Sequence, residues 1–136
     1  MKAEPITIDA SVFVNAFSPS ELGSDKSLAF IRQAEQEATP VIVPALLLPE
    51  IAAAISRKQG DATLAMLLVE QISELQNITL IDLDESLARL AAQTASTHKL
   101  RGSDAVYAAV ALRFGTTLVT LDREQLQRFE KAVSPQ

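Results

Sequence analysis

At 136 residues, 48% hydrophobic and 21% charged, the chain has the size of one domain, predicted over 1–136, and is too apolar for intrinsic disorder. It has no cysteine, which excludes disulfides, thiolate nucleophiles and Cys-based zinc or iron–sulfur sites. A net charge of −5 argues against a general polyanion binder, although the balance is uneven: residues 1–98 carry six Lys and Arg against thirteen acids, whereas 99–136 carry six (Lys99, Arg101, Arg113, Arg123, Arg128, Lys131) against four.

The opening Met-Lys-Ala-Glu-Pro places an acid and a proline before any apolar run. No segment approaches the roughly 18 apolar residues of a membrane span. A soluble, unprocessed, cytoplasmic protein without membrane contact is expected. Aromatic content is only 4%, so aliphatic side chains must build the core, and their spacing marks the elements.

Ile6-Thr7-Ile8 is a β-prone run that ends at Asp9. After the Ser18-Pro19-Ser20 break, Leu28, Ile31 and Ala34 recur at helical spacing, with Ser24 available as the cap. Val41-Ile42-Val43 is a buried-strand candidate closed by Pro44. A helix follows from about Leu46 to Lys58, ending before Gly60; proline is tolerated only in a helix's first turn, so Pro49 puts Glu50 in that opening turn. Asp61 caps the next helix, whose Leu64, Leu67, Leu68, Ile72 and Leu75 share one face.

Ile78 to Leu83 reads as a third strand, and Asp84 caps a helix carrying Leu87, Leu90, Ala91 and Ala95 on one face. Lys99–Ser103 breaks it. Ser103 is placed to cap an Ala/Val/Leu-rich helix from Asp104 to Phe114, with Gly115 at its preferred C-terminal position. Leu118 to Leu121 is a fourth strand, and 123–131 a final polar helix. Short strands apolar on both faces, alternating with helices, indicate a three-layer α/β/α sandwich around a mainly parallel sheet of four or five strands.

In such sheets ligands bind beyond the carboxyl ends of the strands, where the winding reverses. Asp9 and Asp122 follow strands, and Glu50 and Asp104 lie in helix first turns on the same rim. Burying an ionised carboxylate costs several kcal/mol unless it is compensated. A shared divalent cation would compensate all four, and with no Cys and one His the donors suit a hard, oxygen-preferring ion. Singly, each acid also fits a helix cap or a favourable first-turn charge.

Ile8-Asp9-Ala10-Ser11-Val12-Phe13, Leu48-Pro49-Glu50-Ile51, Gly102-Ser103-Asp104-Ala105 and Val119-Thr120-Leu121-Asp122 together resemble the four acidic motifs of PIN-domain nucleases, particularly the compact VapC-type toxins. The order, spacing and placement of all four carry the resemblance, which spans nearly the whole chain. It implies a PIN-like fold and a Mg²⁺- or Mn²⁺-dependent endoribonuclease, with RNA as substrate, a cognate antitoxin as partner, and a homodimer. Asp9, Asp104 and Asp122 would hold one or two metal ions, directly or through water. Glu50 would complete the cage or orient the attacking water. Antitoxins of this class commonly insert an Arg-bearing segment into the acidic pocket.

Ser11 resembles the hydroxyl that the family places two residues after the first acid; a plain turn or cap is the alternative. Asn15 and Thr120 are weaker candidates of the same kind. Lys99, Arg101 and Arg123 stand next to the third and fourth acids in sequence and suit phosphates flanking the scissile bond, with surface solubility as the competing role. His98 suits a helix end, and Tyr107 the core. A non-catalytic PIN-like module binding RNA or a protein is the alternative function, although members of that kind usually lack one or more acids. A haloacid-dehalogenase-type phosphohydrolase would need a second Asp where Ser11 stands.

Overall fold

The β-prone runs converge on a five-stranded sheet in a computed structural model that describes residues 3–135; Met1, Lys2 and Gln136, part of the expected domain, lie outside the described residues. The strands are β1 (Ile6–Ile8), β2 (Val41–Pro44), β3 (Ile78–Ile81), β4 (Thr117–Val119) and β5 (Ala132–Val133). Their order is β3-β2-β1-β4-β5, and every described pair is parallel. From β1 the chain builds outward to β2 and β3, then returns across β1 to add β4 and β5. The winding therefore reverses between β1 and β4.

Parallel strands need crossovers, and seven helices among the described residues supply them: α1 (Ala10–Ala16), α2 (Ser24–Gln36), α3 (Leu47–Gln59), α4 (Ala62–Ser73), α5 (Glu85–His98), α6 (Gly102–Phe114) and α7 (Arg123–Arg128). Side chains alternate across the sheet. Ile8, Val41 and Val43 join Val12, Phe13, Ile51, Ile55, Leu68 and Ile72 in the main core. Ile42 and Ile81, from the opposite face, pack on Leu87, Ala91, Val106, Ala109 and Val110 of α5 and α6. This is the three-layer sandwich expected from the sequence.

Helix α6 is buried continuously from Asp104 to Ala111. A helix apolar on all sides must be covered on all sides, and α6 touches β1, β2, β4 and α5. The small side chains of Ala105, Ala108, Ala109 and Ala111 allow that close approach. Gly115 ends it with φ +67°, a left-handed conformation open to glycine without a Cβ penalty.

Several boundaries differ from the sequence expectation, each for a tertiary reason. Helix α1 has no counterpart in that expectation; Val12 and Val14 are weak helix formers, but burial of Val12 and Phe13 overrides propensity. Gly23, at φ +83°, is the cap of α2, and the Ser24 hydroxyl instead donates to the Ala16 carbonyl at 3.2 Å. Arg101 takes the cap position of α6 through its extended backbone, leaving Ser103 in the first turn. Strand β3 stops at Ile81 because its partner β2 stops at Pro44. Likewise β4 stops at Val119, level with Ile8 of β1. Helix α7 ends at Arg128, and the chain turns through Phe129 to add β5, a two-residue strand in place of a longer helix.

Candidate active site

The register sets Ile8 beside Val119, so the next residues, Asp9 and Thr120, leave the sheet side by side at the point where the winding reverses. Asp9 keeps the backbone ladder going by donating its N–H to the Val119 carbonyl at 2.9 Å. Its carboxylate also caps α1, accepting the Ser11 N–H at Oδ2 across 3.1 Å. Two residues after Thr120, Asp122 caps α7 by accepting the Gln125 N–H at 3.0 Å. The capping roles and the convergence coexist: each carboxylate spends one oxygen on a helix and turns toward the same groove.

Glu50 reaches the groove from the first turn of α3 and Asp104 from the first turn of α6. All four acids line one groove of about 560 Å³, together with Ser11, Pro49, Ala53, Ala54, Arg57, Lys58 and Arg101. Asp9 and Asp104 are only 5% and 8% exposed, so little water reaches either carboxylate. Burial, the largest effect, raises the Asp104 carboxyl above its ordinary value against the Arg101 hydrogen bond, and the charges of Asp122 and Asp9 raise it further. Burial likewise raises Glu50, opposed by a hydrogen bond from Tyr107 and reinforced by Asp9 and Asp104.

One guanidinium offsets this charge. Arg101 Nε donates to Asp104 Oδ2 at 3.0 Å and Nη2 to Asp122 Oδ2 at 2.7 Å, so a cation sits between two of the acids. Its own pKa is raised, first by Asp104 and then by Asp122. Among the described residues no three acidic or histidine side chains stand as a ready-made metal cage. The donor set still fits a hard divalent ion: four carboxylates on one groove, two with ionisation hindered by burial and mutual charge, and a guanidinium already drawn into their midst.

Two residues missed as site members tie the acids together. Tyr107, one turn after Asp104 on α6 and 1% exposed, donates its hydroxyl hydrogen to Glu50 Oε1 at 2.6 Å. Gln125, fully buried, lies with Nε2 3.4 Å from Asp9 Oδ1 and 3.5 Å from the Asp104 carbonyl, while Oε1 accepts the Thr120 hydroxyl. The sequence carried no signal for Gln125, because the bond that caps α7 uses its backbone N–H, which any residue but proline supplies. Thr120 Oγ1 also accepts the Asp122 N–H at 3.0 Å and lies 3.4 Å from Asp9 Oδ2. Ser11 Oγ accepts the Leu121 N–H at 3.1 Å, locking the β4 exit onto α1.

The other candidates fall elsewhere. Asn15 is spent on the loop before α2, donating to Glu21 Oε1 and the Leu22 carbonyl and accepting from Ser27. Lys99 is exposed, ends α5 at φ +56°, and offers its carbonyl to Arg128 Nη1 at 2.8 Å. Arg123 is exposed, and neither it nor Lys99 lines the groove. The basic residues that do are Arg101 and, from α3, Arg57 and Lys58. His98 closes α5, with Nδ1 3.1 Å from the Arg128 carbonyl and its ring edge-on to Phe129.

Comparison with known proteins follows the same outline. A family model described as the PIN domain matches residues 6–132, nearly the whole chain. No curated protein matches the sequence. Among solved structures, the fold is similar to the sarcin-ricin loop cleaving toxin VapC20 of Mycobacterium tuberculosis, at 17% identity and TM-score 0.74 over 96% of this chain and 99% of that one. It is also similar to a chain of a toxin–antitoxin complex from Klebsiella pneumoniae, at 17% identity and TM-score 0.69 over 96% and 98% of the two chains. FitAcB from Neisseria gonorrhoeae aligns at 19% identity and TM-score 0.70, over 95% and 96%.

Proposed function

The chain belongs to the PIN domain family, and from that premise we propose that it is a metal-dependent endoribonuclease, the toxin of a toxin–antitoxin pair acting in the cytoplasm. The observation that carries the reading is the meeting of Asp9, Glu50, Asp104 and Asp122, from four distant stretches of chain, in one groove at the winding reversal. Burial and neighbouring charge raise two of the four carboxyl groups, Glu50 and Asp104, a pattern that clusters at functional sites.

Asp9, Asp104 and Asp122 are the residues that would hold Mg²⁺ or Mn²⁺, with Glu50 beside them. Bound there, the ion would lower the pKa of a water and offset charge on the phosphate oxygens. The chain's own contribution is positioning. Gln125 and Thr120 hold Asp9 and the Asp122 backbone in register, and Ser11 pins the strand exit. Tyr107 occupies Glu50 Oε1, leaving Oε2 to accept a proton from the attacking water, a task suited to a carboxyl whose pKa burial has raised. Water as the nucleophile leaves a 5′-phosphate and makes no use of the ribose 2′-hydroxyl.

Partners are read from relatives. The similarity to a chain of a toxin–antitoxin complex supports a cognate antitoxin, and the similarity to a toxin that cleaves the sarcin-ricin loop supports RNA as substrate. Met66 and Leu67 stay about half exposed on α4, which suits packing on a second copy or the antitoxin. No described helix is long and apolar enough to cross a membrane.

The test is cleavage of total RNA by the purified protein with Mg²⁺, Mn²⁺ or EDTA, with mapping of the 5′ ends. Metal-dependent cuts bearing 5′-phosphates, abolished by Asp9→Asn in a folded protein, are expected. Cleavage that persists in EDTA, or in Asp9→Asn, would overturn the proposal.

A further inference from the structure

The four acids occupy only one end of their groove. From Glu50 the wall continues along α3 through Ala53 and Ala54 to Arg57 and Lys58. Ala53, Ala54 and Arg57 share one helix face with Glu50, at spacings of three, four and seven residues. Seven residues of helix advance roughly 10 Å. A negative centre and a positive end are therefore joined by a floor of two alanines, whose methyl groups leave the groove open.

The two cations are not equivalent. Lys58 is engaged by Glu21, with Nζ 2.5 Å from Oε2. Arg57 has no acidic partner within ion-pair distance among the described residues, and its side chain is exposed. Arg101, the other guanidinium of the groove, is held by Asp104 and Asp122. Arg57 is thus the groove's uncommitted cation, and it stands outside the acidic centre. A guanidinium offers a planar, two-pronged donor to a phosphate.

Resting on the nuclease reading, we propose that Arg57 is a phosphate clamp for the substrate strand, which lies over Ala53 and Ala54 with its scissile bond at the acids. At about 3.4 Å of rise per stacked nucleotide, the clamped phosphate lies about three nucleotides from the cut. The strand crosses an acidic centre that repels it, and Arg57 supplies attraction at the far end of the same wall. Arg57 contributes to holding the strand and takes no part in the chemical step.

Steady-state cleavage and fluorescence anisotropy with a single-stranded RNA containing a mapped cut site test this in the full chain. Arg113→Ala serves as the control, because Arg113 bonds Ser86 away from the groove. Arg57→Ala is expected to raise KM and the anisotropy Kd about fivefold to tenfold, leave kcat within about twofold, and lower the salt slope of binding by about 0.7. Arg57→Lys should recover part of the loss, and substrates trimmed to one nucleotide beyond the cut should not distinguish Arg57→Ala from wild type. If wild type cleaves RNA and Arg57→Ala matches Arg113→Ala in KM, Kd and salt slope, the clamp is overturned and the nuclease reading stands. If RNA binds through Arg57 but is never cut, the nuclease reading falls, and with no scissile bond to place, the substrate clamp falls with it. Absence of both binding and cleavage overturns both.

Discussion

Tyr107 donates its hydroxyl hydrogen to Glu50 Oε1 across 2.6 Å, joining the central helix α6 to the first turn of α3 at the floor of the acidic groove. The phenol is held protonated, because burial, the Glu50 charge and this hydrogen bond all raise its pKa. It therefore donates over the whole working pH range. Tyr107, through this bond, and Arg101, through its charge, favour the ionised form of Glu50, so Tyr107→Phe must push the Glu50 pKa higher still. If Glu50 accepts a proton during cleavage, the acid limb of the pH–rate profile moves to higher pH, and the rate near neutrality falls about threefold to tenfold. An unmoved acid limb would remove Glu50 from that role.

The raised carboxyl groups also predict how stability depends on pH. Below their ordinary values of 4.5 for Glu50 and 3.8 for Asp104, both groups are protonated whether the chain is folded or not. Between those values and the raised folded ones, the unfolded chain has released protons that the folded chain still holds. Stability therefore falls as pH rises through that window and remains lower above it. Glu21, held below its usual value by hydrogen bonds from Lys58 and Asn15, acts in the opposite sense. The informative quantity is the difference between variants: in EDTA, Glu50→Gln and Asp104→Asn should gain Tm relative to wild type as pH rises from about 4 to about 7. Mn²⁺ should raise the wild-type Tm most at the upper end, where the carboxylates are ionised.

Arg101 predicts a competition. Its guanidinium bonds Asp104 and Asp122 at 3.0 and 2.7 Å, oxygens that a divalent cation would also seek. The side chain is 67% exposed, so it can leave the carboxylates without a burial penalty. Arg101→Gln should tighten Mn²⁺ binding severalfold by isothermal titration and lower the metal-free Tm above the carboxyl range, where the acids lose their counter-ion. Unchanged Mn²⁺ affinity would show that the guanidinium and the metal do not share these oxygens.

The acids were legible in the sequence as a set: a carboxylate at a helix start is common, as Asp61 and Asp84 show, but the order and spacing of these four put them on one rim. The parallel sandwich followed from alternating apolar runs with helical and strand periods. The supporting contacts were not legible. Gln125 reads as one polar residue in a short polar helix, and only the Ile8–Val119 register and the Phe129 turn bury it against Asp9. Tyr107 reads as core because its ring is core; the direction of its hydroxyl depends on how closely α6 approaches α3. Chain proximity to an acid did not decide which cations line the groove: Lys99 and Arg123 are near acids in sequence and lie outside it, whereas Arg101 lines it and Arg57 enters it two helical turns after Glu50.

Gln125 separates positioning from overall stability. Its buried amide contacts Asp9 and the Asp104 carbonyl at the long end of hydrogen-bond distance and accepts from Thr120. Gln125→Leu keeps the apolar bulk but leaves the Thr120 hydroxyl without its nearest acceptor and Asp9 Oδ1 without its amide donor, a cost of about 1–3 kcal/mol. Gln125→Glu keeps the shape and places a fifth carboxylate beside Asp9, so its penalty in EDTA should grow with pH and shrink when Mn²⁺ is added. If Gln125 positions Asp9, both variants lower kcat well below wild type at temperatures where they are folded, while KM for RNA stays within about twofold, because Gln125 lies beneath the groove and not on its wall. Equal losses in kcat that track only the folded fraction would assign Gln125 to the core alone.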